Sequence, residues 1–198
     1  MASRLFLLPA VLLLLAISAV PSSADDDDCV YTLFVRTGSI FKGGTDSAIG
    51  AWLYDTNGYY LKISDLQSWA GLMGPGYNYY ERGNLDIFSG RAPCLTAPIC
   101  ALNLTSDGSG DHHGWYCNYV ETAVTAVHGS CSQQTFTVEQ WLATDVSPYE
   151  LSAVRNFCPY DLGAAGDRKV RDVRQRSSSS PAGGRAASAV LRQVVAAA

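Results

Sequence analysis

An all-β fold, a sandwich or a barrel, is predicted by three features of this sequence. Between residues 29 and 158, short segments rich in β-branched and aromatic residues follow one another. Turn clusters of Gly, Asp and Asn separate them at short intervals. No long stretch in this unit repeats its apolar residues at helical spacing.

The elements read as follows. Cys29–Thr37 is the first strand, ended by Gly38. Ser47–Tyr54 is the second, closed by Asp55-Thr56-Asn57-Gly58, where Asn-Gly is the strongest short hairpin signal. Tyr59–Ile63 returns as the third. Asn84–Phe88, Ile99–Leu104, Trp115–Val127 and Gln134–Val138 continue the pattern, and Trp141-Leu142 is an eighth strand or a helical turn. Trp52 alternates with its neighbours and is expected in the core, and Trp115 and Trp141 are expected to pack.

The flanks differ from this unit. Leu5 to Val20 is almost unbroken apolar sequence after Arg4, and Pro21-Ser22-Ser23-Ala24 closes it with small residues. This is the pattern of a secretory signal over residues 1–24. A membrane anchor is the weaker reading, because the run is short for a span and an acidic linker, residues 25–28, follows it without a basic flank. Residues 159–198 form a basic tail rich in Ala and Ser. Its Ser177–Ser180 run and paired glycines cannot bury enough apolar area to offset ordering entropy. Ala186–Ala198 has Val190, Leu191, Val194 and Val195 on one side of a possible helix, but so short a helix is marginal alone. The tail is expected to be disordered.

Charge narrows the function classes. Residues 25–160 hold 15 acidic and six basic residues, whereas residues 161–198 hold three acidic and seven basic. The globular part is strongly acidic, which excludes phosphate-driven nucleic-acid binding by it.

Six cysteines all lie beyond residue 24. An even number in an oxidising compartment favours disulfides. Cys94 and Cys100 flank a short Pro-containing turn and are expected to meet locally. Cys29 opens the first strand and Cys158 follows the last, so they are expected to staple adjacent, antiparallel terminal strands. Cys117 and Cys131 fit a third bridge poorly, so one or both are expected free. Zinc is disfavoured because no CxxC spacing occurs.

A family resemblance rests on several motifs in order. Cys29-Val30-Tyr31-Thr32 starts the unit and Lys42-Gly43-Gly44-Thr45-Asp46-Ser47 follows the first strand. Glu81-Arg82-Gly83-Asn84-Leu85-Asp86-Ile87-Phe88 comes next, and Ser106-Asp107-Gly108-Ser109-Gly110-Asp111 leads into Gly114-Trp115-Tyr116. Together these resemble the PLAT, or lipoxygenase homology, domain, and most closely its plant single-domain stress-protein subfamily. The resemblance covers residues 29–158 and not the tail. It implies an eight-stranded antiparallel β-sandwich. It also implies binding of lipid, membrane or protein, often calcium-assisted, in the endoplasmic reticulum or apoplast, and a role in stress tolerance. A protein-interaction module without a lipid ligand is the alternative. Lipoxygenase and lipase chemistry belongs to other domains.

Calcium also has an argument from the residues. It takes six to eight oxygen ligands. Gly44, Thr45 and Asp46 offer carbonyls, a hydroxyl and a carboxylate, and Asp107 and Asp111 offer two carboxylates on a glycine-rich loop. The first loop resembles a metal-binding loop of the family. The second departs from it, with Gly108 where an Asn side chain is common. Asp and Gly are also ordinary turn residues. Asp86 reads as a buried structural carboxylate.

The stretch from Leu66 to Tyr80 is unusually apolar for a loop. Trp69, Leu72 and Met73 are its candidate lipid contacts, since Trp suits a membrane interface. The competing reading folds these aromatics back over the core, with Leu72 and Met73 left exposed. No catalytic residue is expected: there is no GxSxG elbow or HExxH helix, and His112 and His113 read as exposed turn histidines. Asn103-Leu104-Thr105 is an N-glycosylation triplet.

Overall fold

The computed structural model describes residues 28–126, 131–162 and 170–172. The expected signal segment and most of the tail lie outside these residues. In chain order the elements are β1 (Asp28–Thr37), β2 (Ile49–Asp55), β3 (Tyr60–Ile63), α1 (Leu66–Ala70), β4 (Leu85–Pro93), β5 (Ile99–Ser106), β6 (Trp115–Thr125), β7 (Ser132–Leu142), β8 (Ser152–Asn156) and β9 (Val170–Asp172).

Two sheets result. Sheet 1 has the order β4-β1-β6-β7, and sheet 2 the order β8-β5-β2-β3-β9. The first eight strands pair antiparallel, four to a sheet, as an eight-stranded sandwich requires. The strand alternation builds the core between them. Tyr31, Leu33, Val35, Phe88, Trp115, Val120 and Phe136 point in from sheet 1, and Ile49, Ala51, Leu53, Leu61, Leu102 and Leu104 from sheet 2.

The same alternation corrects the expectation for Trp52. Ala51 and Leu53 are fully buried, so the residue between them faces outward. Trp52 is half-buried on the outer face of sheet 2, stacked on Tyr60 at 5.3 Å and carrying Lys62 Nζ 4.8 Å from its ring centre. Trp115 is fully buried and donates its indole N–H to Thr37 Oγ1.

The Asn57-Gly58 hairpin forms as read. Gly58 takes φ 85°, and the buried Asp55 carboxylate accepts the N–H groups of Asn57 and Tyr59. The eighth strand is not Trp141-Leu142, which ends β7, but Ser152–Asn156. Its Ser-Ala-Val-Arg-Asn sequence has weak strand propensity and is held by pairing with β5. The apolar stretch after β3 begins with a short helix, α1, which Asp65 caps by accepting from Gln67 N and Ser68 N.

Both expected disulfides are corrected. The bridges are Cys29–Cys94 and Cys100–Cys158, each with Cα atoms 4.9 Å apart. Pairing partners explain this. β1 runs antiparallel to β4 with Cys29 opposite Ala92, so Cys94 emerges beside the start of β1. β8 runs antiparallel to β5 with Asn156 opposite Ala101, so Cys158 emerges beside Cys100. The turn between Cys94 and Cys100 crosses from sheet 1 to sheet 2 and separates them. The terminal strands are not neighbours either: β1 lies between β4 and β6, and β8 edges the other sheet. Cys117 and Cys131 are both free.

The expectation of a wholly disordered tail is corrected at residues 170–172, which pair parallel with β3 as β9. The registers also give the sandwich two unlike ends. Thr37 pairs with Cys117, Ile49 with Ser106, Leu142 with Trp115, and Ser152 with Thr105. The connections 38–48, 64–84, 107–114 and 143–151 therefore leave from one end. Both disulfides close the other.

Candidate functional site at the loop end

Three of the four connections are tied to one another by hydrogen bonds. Tyr80 O accepts from Thr45 N, and His112 O accepts from both Asp46 N and Thr45 Oγ1. Ser47 Oγ donates to Ser109 O or His113 O. Gly43 O accepts from Tyr116 N. Gly44 is needed for close approach, because a Cβ there would lie 2.9 Å from Arg82 N. Gly110, at φ 85°, passes Asp46 so closely that a Cβ would meet it at 2.8 Å.

Side-chain pairs continue the tie at the surface. His112 Nδ1 lies 3.0 Å from Asp46 Oδ2, and His113 Nε2 lies 3.6 Å from Asp145 Oδ1. The two adjacent histidines thus reach carboxylates on two different loops. His112 is the exposed turn histidine expected, His113 is half-buried, and neither has the neighbouring Asp111 as its partner.

Below these pairs opens a groove of about 740 Å³. Lys42 and Arg82 supply cations, Asp46, Glu81, Asp111 and Asp145 supply carboxylates, and Phe41, Trp141 and Val146 supply apolar wall. Phe41 is 77% exposed, the most exposed of the large apolar side chains among the described residues. The sequence reading missed it. Its signal was there: Ile40-Phe41 interrupts a Gly- and Ser-rich connection in which polar residues are the norm.

Four of the five residues expected to hold calcium lie together at the groove. Gly44, Thr45, Asp46 and Asp111 line the groove, and Asp107 does not. Thr45 is buried, donates its hydroxyl to His112 O and accepts from Ser47 N. Asp107 Oδ1 accepts from Ala48 N and Ser109 N. Desolvation opposes it, but those N–H groups prevail and hold the Asp107 carboxyl below the usual carboxylate range. Among the described residues, no three His, Cys, Asp or Glu side chains group closely enough to hold a metal by themselves. Two groove carboxylates, Asp46 and Asp111, fit a hard cation only with water and carbonyl oxygens completing its shell.

Asp86 is the buried structural carboxylate expected of it. It accepts from Tyr77 Oη at 3.1 Å and from Tyr80 N at 2.7 Å. Burial outweighs these bonds and holds its carboxyl above the usual range. Tyr79 and Tyr80 fold back to cap the core, stacked on Phe88 at 5.2 and 5.6 Å. Trp69 also folds back: it is half-buried against the core and lies over Gly90, where a Cβ would meet its ring at 2.7 Å. Leu72 and Met73 stay 39% and 53% exposed.

An antiparallel sandwich with its connections gathered at one end, around an open groove of mixed charge, defines the class of β-sandwich domains that present a surface on their loops. The PLAT/LH2 domain profile matches residues 31–155, and the chain belongs to that family. PLAT domain-containing protein 1 of Arabidopsis thaliana is 64% identical over 178 residues, covering 90% of this chain and 98% of that protein. PLAT domain-containing protein 2 of the same plant is 61% identical over 171 residues, covering 86% and 93%. Among solved structures, coral 8R-lipoxygenase covers 58% of this chain and 16% of its own at 23% identity and TM-score 0.44.

Proposed function

We propose that this PLAT domain binds lipid surfaces through its loop end, within the endoplasmic reticulum or apoplast. The observation that carries the reading is Phe41, a large apolar side chain left 77% exposed beside Lys42 and the groove. Burying a Phe contributes about 1.5–3 kcal/mol, too little alone for stable attachment. Lys42 and Arg82 add about 1 kcal/mol each near an anionic surface. These are two of only six basic residues in positions 25–160, so they stand where the acidic body most needs them. The two disulfides support an oxidising compartment. Calcium, if held by Asp46 and Asp111, would offset the remaining repulsion between the acidic domain and anionic headgroups.

Leu72 and Met73 offer a second apolar contact, on the segment after α1. Trp69 contributes less, because the core already uses its ring. The test is co-sedimentation with vesicles of neutral and anionic lipid, with and without calcium. Phe41→Ser is expected to weaken binding about 10- to 100-fold, with the melting temperature unchanged. Leu72→Ser with Met73→Ser is expected to cost less. Absence of binding to every mixture would reject the reading.

A protein partner is the second reading. It is favoured by the outer face of sheet 2, where the Trp52–Tyr60 stack and the 47% exposed Val154 present apolar area away from the loops. Crosslinking that maps a partner to this face, with no vesicle binding, would select it.

A further inference from the structure

The outer face of sheet 2 holds one polar side chain whose placement the bare domain does not explain. Asn103 lies within β5, a strand paired on both sides. Leu102 and Leu104 are fully buried, so the strand period turns Asn103 and Thr105 outward. Asn103 stands opposite Trp52 on β2 and opposite Val154 on β8. Both neighbours are largely apolar. Asn103 Oδ1 is shielded from solvent and has no hydrogen-bond partner. Leaving a buried amide oxygen unpaired is destabilising, and native structures contain few such atoms. Valine or threonine would suit this strand position better.

The residue belongs to the triplet Asn103-Leu104-Thr105. Of the six asparagines in the chain, it alone is followed at the second position by Ser or Thr. Two disulfides fit passage through the oxidising lumen where such triplets are modified. On these grounds we infer that Asn103 carries an N-linked glycan on the outer face of sheet 2.

The chemistry is a group transfer. Asn103 Nδ2 forms a bond to the anomeric carbon of a lipid-diphosphate-linked oligosaccharide. The bond from that carbon to the diphosphate oxygen breaks, the lipid diphosphate leaves with the electron pair, and Nδ2 loses one proton. The lumenal membrane holds the donor, and a membrane-bound transferase catalyses the step and takes up the proton. Transfer takes place on the extended chain, before β8 and β2 close on β5. In the folded domain the first sugar lies against Trp52 and Val154, and its hydroxyl and N-acetyl groups bring hydrogen-bond donors to a face that offers Asn103 Oδ1 none.

The position has a consequence for binding. Asn103 stands three positions before the end of β5 at Ser106, about 10 Å of strand. The glycan is rooted on the sheet face, away from the residues that line the loop-end groove. It therefore disfavours protein docking on that face and is compatible with a lipid surface at the loops. The inference does not depend on the lipid reading.

The test expresses the full chain in plant or insect secretory cells and recovers it with its disulfides formed. Treatment with a peptide:N-glycosidase that tolerates plant cores is expected to shift the band down and convert Asn103 to Asp, read by peptide mass. Asn103→Gln and Thr105→Ala are expected to abolish the shift, and Thr105→Ser to keep it. Oxidised protein with unmodified Asn103 would overturn the inference. So would a shift that survives Asn103→Gln, or recovery of the chain only in reduced, cytosolic form.

Discussion

The Asp86 carboxylate accepts the backbone N–H of Tyr80 at 2.7 Å, and so fixes the segment before β4 to the first residues of that strand. The carbonyl of the same Tyr80 accepts from Thr45 N, and Thr45 Oγ1 donates to His112 O. One chain of bonds, buried at its start, thus runs from sheet 1 through three connections of the loop end. Such networks are costly to break in part, because each removed member strands a buried partner.

Asp86→Ala is therefore expected to destabilise the domain by about 1–3 kcal/mol, since it leaves the Tyr80 N–H unpaired. Thr45→Val keeps the shape but removes the donor to His112 O and the acceptor of Ser47 N. A loss of similar size is expected, with weaker vesicle binding as the groove loosens. Denaturant midpoints measure both, and unchanged midpoints would show that the network is not what holds the loops.

Calcium is expected to bind weakly, with a Kd in the range of about 10⁻⁴ to 10⁻³ M seen for the loosest calcium modules. The donor set of two groove carboxylates plus water gives this expectation. Melting temperature should rise between zero and several millimolar calcium. Asp46→Asn and Asp111→Asn should each remove the rise. Asp107→Asn should leave it intact, because that carboxylate is engaged by Ala48 N and Ser109 N. Loss of the response in Asp107→Asn would restore Asp107 as a ligand.

Asp107 and Asp86 are expected to give opposite pH dependences. The folded-state pKa of Asp107 is lowered, so the stability it contributes is present above its unfolded value of about 4. That stability is lost as pH falls through the lowered folded value. Because Asp107 is largely exposed, solvent screening keeps the effect small. Asp86 has a raised folded-state pKa, so its contribution is present below about pH 4 and fades as pH rises through the folded value. Melts from pH 3 to 7 on Asp107→Asn should show less acid destabilisation than the native protein.

The two free thiols should differ in reactivity. Cys117 is fully buried in the core and burial pushes its thiol up, so little thiolate forms at neutral pH. Cys131 is exposed. Maleimide at pH 7.5 should modify the folded protein once, at Cys131, and reach Cys117 only on unfolding. Fast labelling of Cys117 in the native state would show that β6 and β7 open locally.

Local chemistry alone determined several elements. The Asn57-Gly58 hairpin was legible because the turn demands a residue free to take positive φ. Cys29–Thr37 and Ile99–Leu104 were legible because their composition suits a pleated, buried surface. Asp86 read as structural from its place in a strand motif, and the folding back of the Leu66–Tyr80 aromatics was one of two readings, because a long apolar segment must either bury itself or meet a partner. The tertiary structure decided what depends on which strands are neighbours. The cysteines pair across β1–β4 and β5–β8, and no spacing in the chain records those partners. Trp52 faces outward because the pleat phase is set by Ala51 and Leu53 against the opposite sheet. Phe41 becomes a candidate contact, and Thr45 a buried knot between loops, because four connections far apart in sequence meet at one end. Sequence patterns carry short-range preferences, whereas these outcomes are set by the long-range pairing of sheets.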